Sequence, residues 1–152
     1  MQINLYTIAK KEKDTYGVLG DDFSKMINKF ANFNDNFIFN KQIASSQTKS
    51  SQDAQRSYST AFVPFLKKGY NIALDPQGKA MDSFAFAKLL EDRSIIQFYI
   101  GGAYGFEDSF LNQCDHRISL TPLTMSHKLA KMVLMEQIFR GLSINNNHPY
   151  HK

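Results

Sequence analysis

Ile95-Ile96-Gln97-Phe98-Tyr99-Ile100-Gly101-Gly102-Ala103-Tyr104-Gly105-Phe106 is the stretch that decides the fold. A short β-branched and aromatic run stops at a cluster of glycines, the pattern of a buried strand that ends in a tight turn before a helix. Glycines in such a turn let the backbone take positive φ and let a ligand approach closely. A dinucleotide fingerprint would read Gly-x-Gly-x-x-Gly early in the chain, with an acidic residue after the next strand to hold a ribose. Here the spacing is Gly-Gly-x-x-Gly, it comes late, and the next strand runs into Ser119-Leu120-Thr121-Pro122. A nucleotide-dependent oxidoreductase fails on both counts.

Outward from this stretch, similar short runs predict strands at Ile3–Ile8, Asn36–Phe39, Asn71–Leu74 and Arg117–Leu120. Longer amphipathic segments lie between them. Tyr16–Asn32 carries Phe23, Met26, Ile27 and Phe30 on one face, and Asp53–Lys67 carries Tyr58, Ala61, Phe62 and Phe65, with Pro64 set to kink or shorten it. Ser83–Leu90 opens at Asp82 or Ser83 as N-cap. His127–Leu142 is apolar over more than one stripe, through Leu129, Met132, Val133, Leu134, Met135, Ile138, Phe139 and Leu142. Such a helix meets protein on two sides, one being core and the other a partner subunit. The alternation predicts an α/β domain. Residues 44–52, polar and serine-rich, read as a long surface loop, with a lid as the secondary idea.

The chain has 152 residues, 43% of them hydrophobic, which suits one domain over 1–152 with one core. The lone Cys114 cannot form an intramolecular disulfide, and no Cys/His spacing fits a structural zinc. A reducing cytoplasm fits, no signal peptide is expected, and no apolar run approaches the ~20 residues that span a bilayer. The net charge of +4 is unevenly placed: residues 1–115 hold 13 Lys+Arg against 13 Asp+Glu, and residues 116–152 hold 5 against 1. A basic C-terminal segment beside a neutral body reads as a footprint for phosphate-rich partners, although charge runs are more often solvated surface.

Two further stretches carry chemistry. Ser119-Leu120-Thr121-Pro122-Leu123-Thr124-Met125-Ser126-His127 leads into the last helix with Thr124 and Ser126 as plausible caps, so taken alone it is a capped helix entry. The tail, Asn145-Asn146-Asn147-His148-Pro149-Tyr150-His151-Lys152, sets aromatic and basic groups at a chain end that would ordinarily fray. His148 and His151 have no carboxylate or cysteine nearby, so no metal site is expected. An aromatic ring beside cations suits an unstacked base better.

Taken in order, Phe98-Tyr99-Ile100-Gly101-Gly102 through Gly105, the loop at 119–127, Glu136-Gln137-Ile138-Phe139-Arg140 and His148-Pro149-Tyr150-His151-Lys152 resemble the bacterial ribosomal RNA large subunit methyltransferase H family, the pseudouridine N3-methyltransferases of the SPOUT superfamily. Leu74-Asp75-Pro76-Gln77-Gly78-Lys79 resembles that family's turn after its third strand. The resemblance covers essentially the full length. It implies a trefoil-knotted α/β domain with a mostly parallel sheet flanked by helices, the knot and tail lying in about residues 71–152, an exception to the rule that chains do not thread loops.

The resemblance further implies that S-adenosyl-L-methionine is held by three loops: Leu74 in the first, Gly101, Gly102 and Gly105 in the second, and Leu120, Thr121, Pro122, Leu123, Thr124 and Met125 in the third. It implies a homodimer that acts on a pseudouridine in helix 69 of 23S rRNA, on the assembled ribosome, with a tail that reaches toward the cofactor and is needed for activity. Pseudouridine N3 is an imide nitrogen that must lose its proton, so a base or a stabilising cation helps. Arg140, Tyr150, His151 and Lys152 are the first candidates, with His148 and His127 beside them, and the sequence does not choose among these. Ala103-Tyr104, Thr121, Ser126 and Lys131 depart mildly from the commonest family pattern. The competing reading is a catalytically inactive knotted RNA-binding or ribosome-assembly protein. The intact glycine turn and full tail favour the enzyme.

Overall fold

Ile3, Leu5, Ile72, Ile96 and Phe98 expose no surface at all. Each lies on a strand covered on both faces, the condition that an all-parallel sheet imposes. The computed structural model describes residues 1–152. In chain order these form β1 (Gln2–Ile8), α1 (Thr15–Ile27), β2 (Asn32–Ile38), α2 (Lys41–Gln47), α3 (Ser51–Phe62), a single 3-10 turn (Val63–Phe65), β3 (Tyr70–Ala80), α4 (Ser83–Leu90), β4 (Ile95–Ile100), α5 (Asp108–Leu111), β5 (His116–Ser119) and α6 (His127–Asn145). The strands make one sheet in the order β2-β1-β4-β3-β5, with every neighbouring pair parallel. The glycine-ended β4 is therefore central. No helix is long and apolar enough to cross a membrane.

One face of the sheet is covered by α1, α4 and α6, which contribute Ile27, Phe86, Leu90, Leu134, Met135 and Ile138 to the larger core. The other face is covered by α2, α3 and α5 through Ile43, Tyr58, Phe62 and Phe110. Polar side chains buried at the sheet satisfy one another: Tyr99 Oη donates to Asn71 Oδ1 at 2.8 Å, Gln97 Nε2 to the same oxygen at 3.1 Å, and Tyr6 Oη to Gln97 Oε1 at 3.1 Å. A satisfied buried network of this kind specifies strand register, because a one-residue slip would break it.

Several elements differ from the sequence expectation. Residues 44–52 are mostly helical, not loop: Asn40 caps α2 by accepting from Ile43 N at 2.8 Å, Ser50 caps α3 by accepting from Asp53 N at 3.0 Å, and fully buried Ile43 anchors the pair. α1 ends at Ile27, not at residue 32, because the Asn28 side chain turns the chain, accepting from Phe33 N and donating to Ser24 O at 2.9 Å each. β2 accordingly starts at Asn32, and the four-residue α5 was not foreseen. Pro64 does end α3, handing over to the 3-10 turn.

Most of the apolar surface of α6 is enclosed by its own chain. On α6, expected to meet a partner subunit through Met132, Met135, Phe139 or their neighbours, those three side chains are 6%, 0% and 4% exposed within a single chain, while the neighbouring Leu129 is 44% exposed. α6 lies between α1 and α4, which bury most of its apolar surface but leave Leu129 near its start exposed.

Candidate active site

β4, β3 and β5 are adjacent, with Ala73 opposite Tyr99 and Leu74 opposite Ile118. Leu74, at the irregularity within β3, and Gly101 and Leu120, just past the ends of β4 and β5, therefore lie toward the carboxyl edge of the sheet, where open α/β sheets bind ligands. β3 loses its register with β5 after Leu74 and regains it at Lys79. Arg117 clamps the bulge so formed, donating twice to Asp75 Oδ2 at 2.6 and 3.2 Å.

In the turn after β4, Gly105 has a φ of 70° and donates its N–H to Gly102 O at 3.0 Å. A Cβ on Gly105 would meet nothing within 4 Å, so the turn leaves open space there. A Cβ on Gly102 would lie 2.5 Å from Tyr58 Oη. Tyr58 rises from α3 fully buried, its hydroxyl unpartnered, and burial raises its pKa so that it stays a protonated donor. Tyr58 is a core residue by its sequence pattern, and only the fold brings its tip to the glycine turn.

The third loop is stiffened internally. Ser119 Oγ donates to Thr121 O at 3.0 Å, Leu123 N donates to Thr121 Oγ1 at 3.2 Å, and Leu129 N donates to the capping Ser126 Oγ at 3.3 Å. Leu120, Thr121 and Met125 are half-buried, whereas Pro122, Leu123 and Thr124 are exposed. Leu123, 75% exposed, is an apolar side chain held out over the edge by a hydrogen-bonded loop. Such a surface suits an apolar ring that also wants backbone hydrogen bonds.

The tail does not fray. His148 N donates to Ser143 O at 2.9 Å, and the chain turns back along α6. Tyr150 Oη donates to Glu136 Oε1 at 3.0 Å, its ring packs edge-on against Phe139 with centroids 4.6 Å apart, and Arg140 stands 4.9 Å over it. Arg140 also donates to Glu136 Oε1 at 2.5 Å and reaches His151 Nδ1 at 3.2 Å. The bond to Glu136 holds the guanidinium pKa up; burial first, and then Glu136, raise that of the Tyr150 phenol. Because arginine can only donate, His151 Nδ1 accepts and its ring proton sits on Nε2. His151 further packs edge-on against the exposed Phe84 at 4.8 Å, and Lys152 is exposed.

Arg140, Tyr150 and His151 are thus brought together, around a Glu136 that had been noted only as part of a motif; its i,i+4 spacing to Arg140 was the available signal. Three predicted residues are not in this group: exposed Lys152, His148 and His127. His148 packs instead between Phe30 and Phe139, at 5.6 and 6.2 Å. His127 lines a separate cavity of about 600 Å³ at the carboxyl ends of β1 and β2. A second cavity, of about 330 Å³, is lined by Ser119 and Leu120 at the start of the third loop and by Ser83, Val133 and Gln137, and no tail residue lines it. Gln137 accepts from Ser83 Oγ at 2.7 Å and donates to Glu136 Oε2 at 2.6 Å, so its wall is continuous with the tail cluster.

The C-terminal charge excess is not a free basic patch. Arg117 pairs with Asp75, Lys128 with Glu12 and Asp14, Lys131 with Asp35 and Arg140 with Glu136, at 2.5 to 2.7 Å. Folding brings N-terminal carboxylates to most of these cations, which a count along the sequence could not show.

Known proteins share this architecture. A family profile described as "Predicted SPOUT methyltransferase" matches residues 1–151. The chain is 53% identical over 152 residues to a protein of a Nitratiruptor species, and 54% identical over 153 residues to one of a Sulfurovum species. These alignments cover 99% of both chains in the first case and 100% in the second, and both proteins are named ribosomal RNA large subunit methyltransferase H. Among solved structures, a probable methylase family protein from Haemophilus influenzae Rd KW20 superposes with a TM-score of 0.56 at 12% identity, covering 99% of this chain and 70% of that one, which speaks for the fold alone. With its glycine turn, its third loop and its docked tail all in place over the full length, the chain belongs to the SPOUT methyltransferases and, within them, to the ribosomal RNA large subunit methyltransferase H family.

Proposed function

We propose that the protein transfers a methyl group from S-adenosyl-L-methionine to N3 of a pseudouridine in helix 69 of 23S rRNA, acting in the cytoplasm as a homodimer on the assembled ribosome. The observation that carries this reading is the docked tail: Tyr150, His151 and Arg140 are held by Glu136 beside the cavity that Leu120 lines. An inactive RNA-binding protein would have no use for ordering its last residues there. The cofactor fits the three loops by chemistry, since Leu74, Leu120, Leu123 and Met125 offer an apolar slot and the turn at Gly105 leaves room. When bound it supplies an activated methyl group. The trefoil knot over about residues 71–152 belongs to the same proposal.

The chain's own part is to position the base and to ease the loss of its N3 proton. Arg140 stays cationic and can stabilise the imide anion as it develops. Tyr150 stays a neutral phenol with a face for stacking, and His151 presents Nε2–H as a donor. Lys152, free in solvent, is placed to meet a phosphate. With Met132, Met135 and Phe139 consumed by the core, the proposed dimer surface moves to the exposed apolar residues of α1, Tyr16, Val18 and Leu19, together with Leu129 of α6.

The test is mass spectrometry of rRNA nucleosides from cells with the gene deleted. One methylated pseudouridine should vanish and return with the intact gene. An unchanged nucleoside profile, with no heat on titrating the protein with S-adenosyl-L-methionine, would establish the inactive alternative.

A further inference from the structure

Residues 10–14 read Lys-Lys-Glu-Lys-Asp, three cations against two carboxylates, a run close to neutral as a sequence. Folding separates the two signs. Glu12 and Asp14 both engage Lys128 Nζ, at 2.5 and 2.6 Å, and Asp14 also caps α1 by accepting from Gly17 N at 2.9 Å. The bond to Lys128, first among several causes, holds the Asp14 carboxyl below the ordinary carboxylate range, so this clamp is ionised at neutral pH. Lys10, Lys11 and Lys13 are left exposed and in no ion pair, with Lys10 leaning over the Phe39 ring at 4.9 Å. The free cations that most of the C-terminal segment does not supply are thus presented here, on a loop fixed at its far end to α1 and Lys128.

The loop's place gives those charges a use. β1 and β4 are neighbours, with Thr7 opposite Ile100, so residues 9–14 and the turn from Gly101 to Gly105 leave adjacent strands at the carboxyl edge of the sheet. Lys128 lies in the first turn of α6, directly after the loop at residues 120–126. A cationic surface therefore borders two of the three proposed cofactor loops, on the side from which the acceptor of a methyl group has to approach. We infer that the loop at residues 9–14 is a backbone-binding edge for the RNA, with Lys10, Lys11 and Lys13 meeting phosphates while Glu12, Asp14 and Lys128 hold the loop in position. A loop already ordered does not lose that freedom on binding. Lysine is a point charge without bidentate geometry, so this edge contributes affinity and orientation and not the choice of base. The inference rests on the RNA reading above and adds to it the path of the RNA backbone across the protein.

The experiment uses the full chain and ribosomes from cells with the gene deleted, reading binding by cosedimentation over a salt series and methyl transfer at saturating S-adenosyl-L-methionine. One variant combines Lys10→Gln, Lys11→Gln and Lys13→Gln; a second carries arginine at the same three positions. The control combines Lys67→Gln, Lys68→Gln and Lys88→Gln, three lysines equally exposed and unpaired that precede β3 and β4 toward the opposite edge of the sheet. In the first variant, ribosome affinity should fall and KM rise at least about tenfold, and the slope of log affinity against log salt should become shallower by about 2. Its kcat, its calorimetric S-adenosyl-L-methionine affinity and its melting temperature should not change. Arginine should restore binding, and the control should behave as the unaltered protein does. Unchanged KM and salt slope in the first variant, a comparable loss in the control, or no rescue by arginine would each overturn the inference. Methyl transfer that is indifferent to all three variants would sink this surface alone. Ribosome binding that depends on these lysines, with no methyl transferred by the unaltered protein, would sink the methyltransferase reading and leave the surface standing.

Discussion

Gly102 and Gly105 stand three residues apart in one turn, yet a methyl group would be resisted at each for a different reason. At Gly102 the obstacle is a side chain, since the added Cβ would lie 2.5 Å from Tyr58 Oη, whereas at Gly105 space is open and the obstacle is a φ of 70°. Gly102→Ala should therefore displace Tyr58 or the turn and lower S-adenosyl-L-methionine affinity at least tenfold by calorimetry, on the order of what a 1 Å misplacement costs. Gly105→Ala should cost only about 1–2 kcal/mol of strain, and Gly105→Asn less, because asparagine tolerates the left-handed region. Equal, unchanged affinities would place the cofactor elsewhere. The lone cysteine offers no alternative chemistry: burial, with Asp115 adding to it, pushes the Cys114 thiol up to about 12, so it is protonated at neutral pH. The need for glycine was legible in the sequence at this turn. Which atom enforces it was not, because Tyr58 arrives from more than forty residues away.

At the scale of elements, the tail makes the sharpest claim. Deleting Tyr150, His151 and Lys152 should leave S-adenosyl-L-methionine affinity within about twofold, since none of the three loops contacts those residues by hydrogen bond, while methyl transfer to ribosomes falls by at least about a hundredfold through lost positioning. A truncated protein that methylates at the full rate would mean that the docking on Glu136 serves only the chain end. Elements with a local cap and one apolar stripe were legible: α4 runs over Ser83–Leu90 as expected, with Asp82 accepting from Ala85 N at 2.8 Å. α2 was hidden because its serines read as loop and its single anchor, Ile43, lies just upstream of the serine run. β2 was set too late because Asn34, Asp35 and Asn36 look like a turn. In the sheet Asn34 and Asn36 donate instead to Asn4 Oδ1 and Leu5 O on β1, contacts made only after pairing.

At the scale of the whole molecule, the structure narrows the apolar surface of α6 that is left for a second copy. The apolar stripes of α6 fixed that the helix is enclosed, but periodicity cannot tell whether the enclosing protein is its own chain or a second copy; the burial of Met132, Met135 and Phe139 answers for its own chain. Val18 is 66% and Leu129 44% exposed, and they are the positions to test. Val18→Asp with Leu129→Asp should shift sedimentation from dimer to monomer and reduce methylation at least about tenfold, with little change in melting temperature because neither side chain is buried in the monomer. A dimer that persists, or a fully active monomer, would count against this surface. The strand order carries a consequence of another kind, for synthesis. β4 sits in the middle of the sheet but is the fourth strand made, and β5 comes later still. Until Ile95–Ile100 has emerged, β1 can pair only with β2, and β3 has no neighbour at all. The newborn chain therefore holds apolar strand edges open through most of its translation and closes them by admitting a late strand between two earlier ones. A product cut short before residue 95 is not a smaller domain but an adhesive one, so this protein depends on its translation being finished.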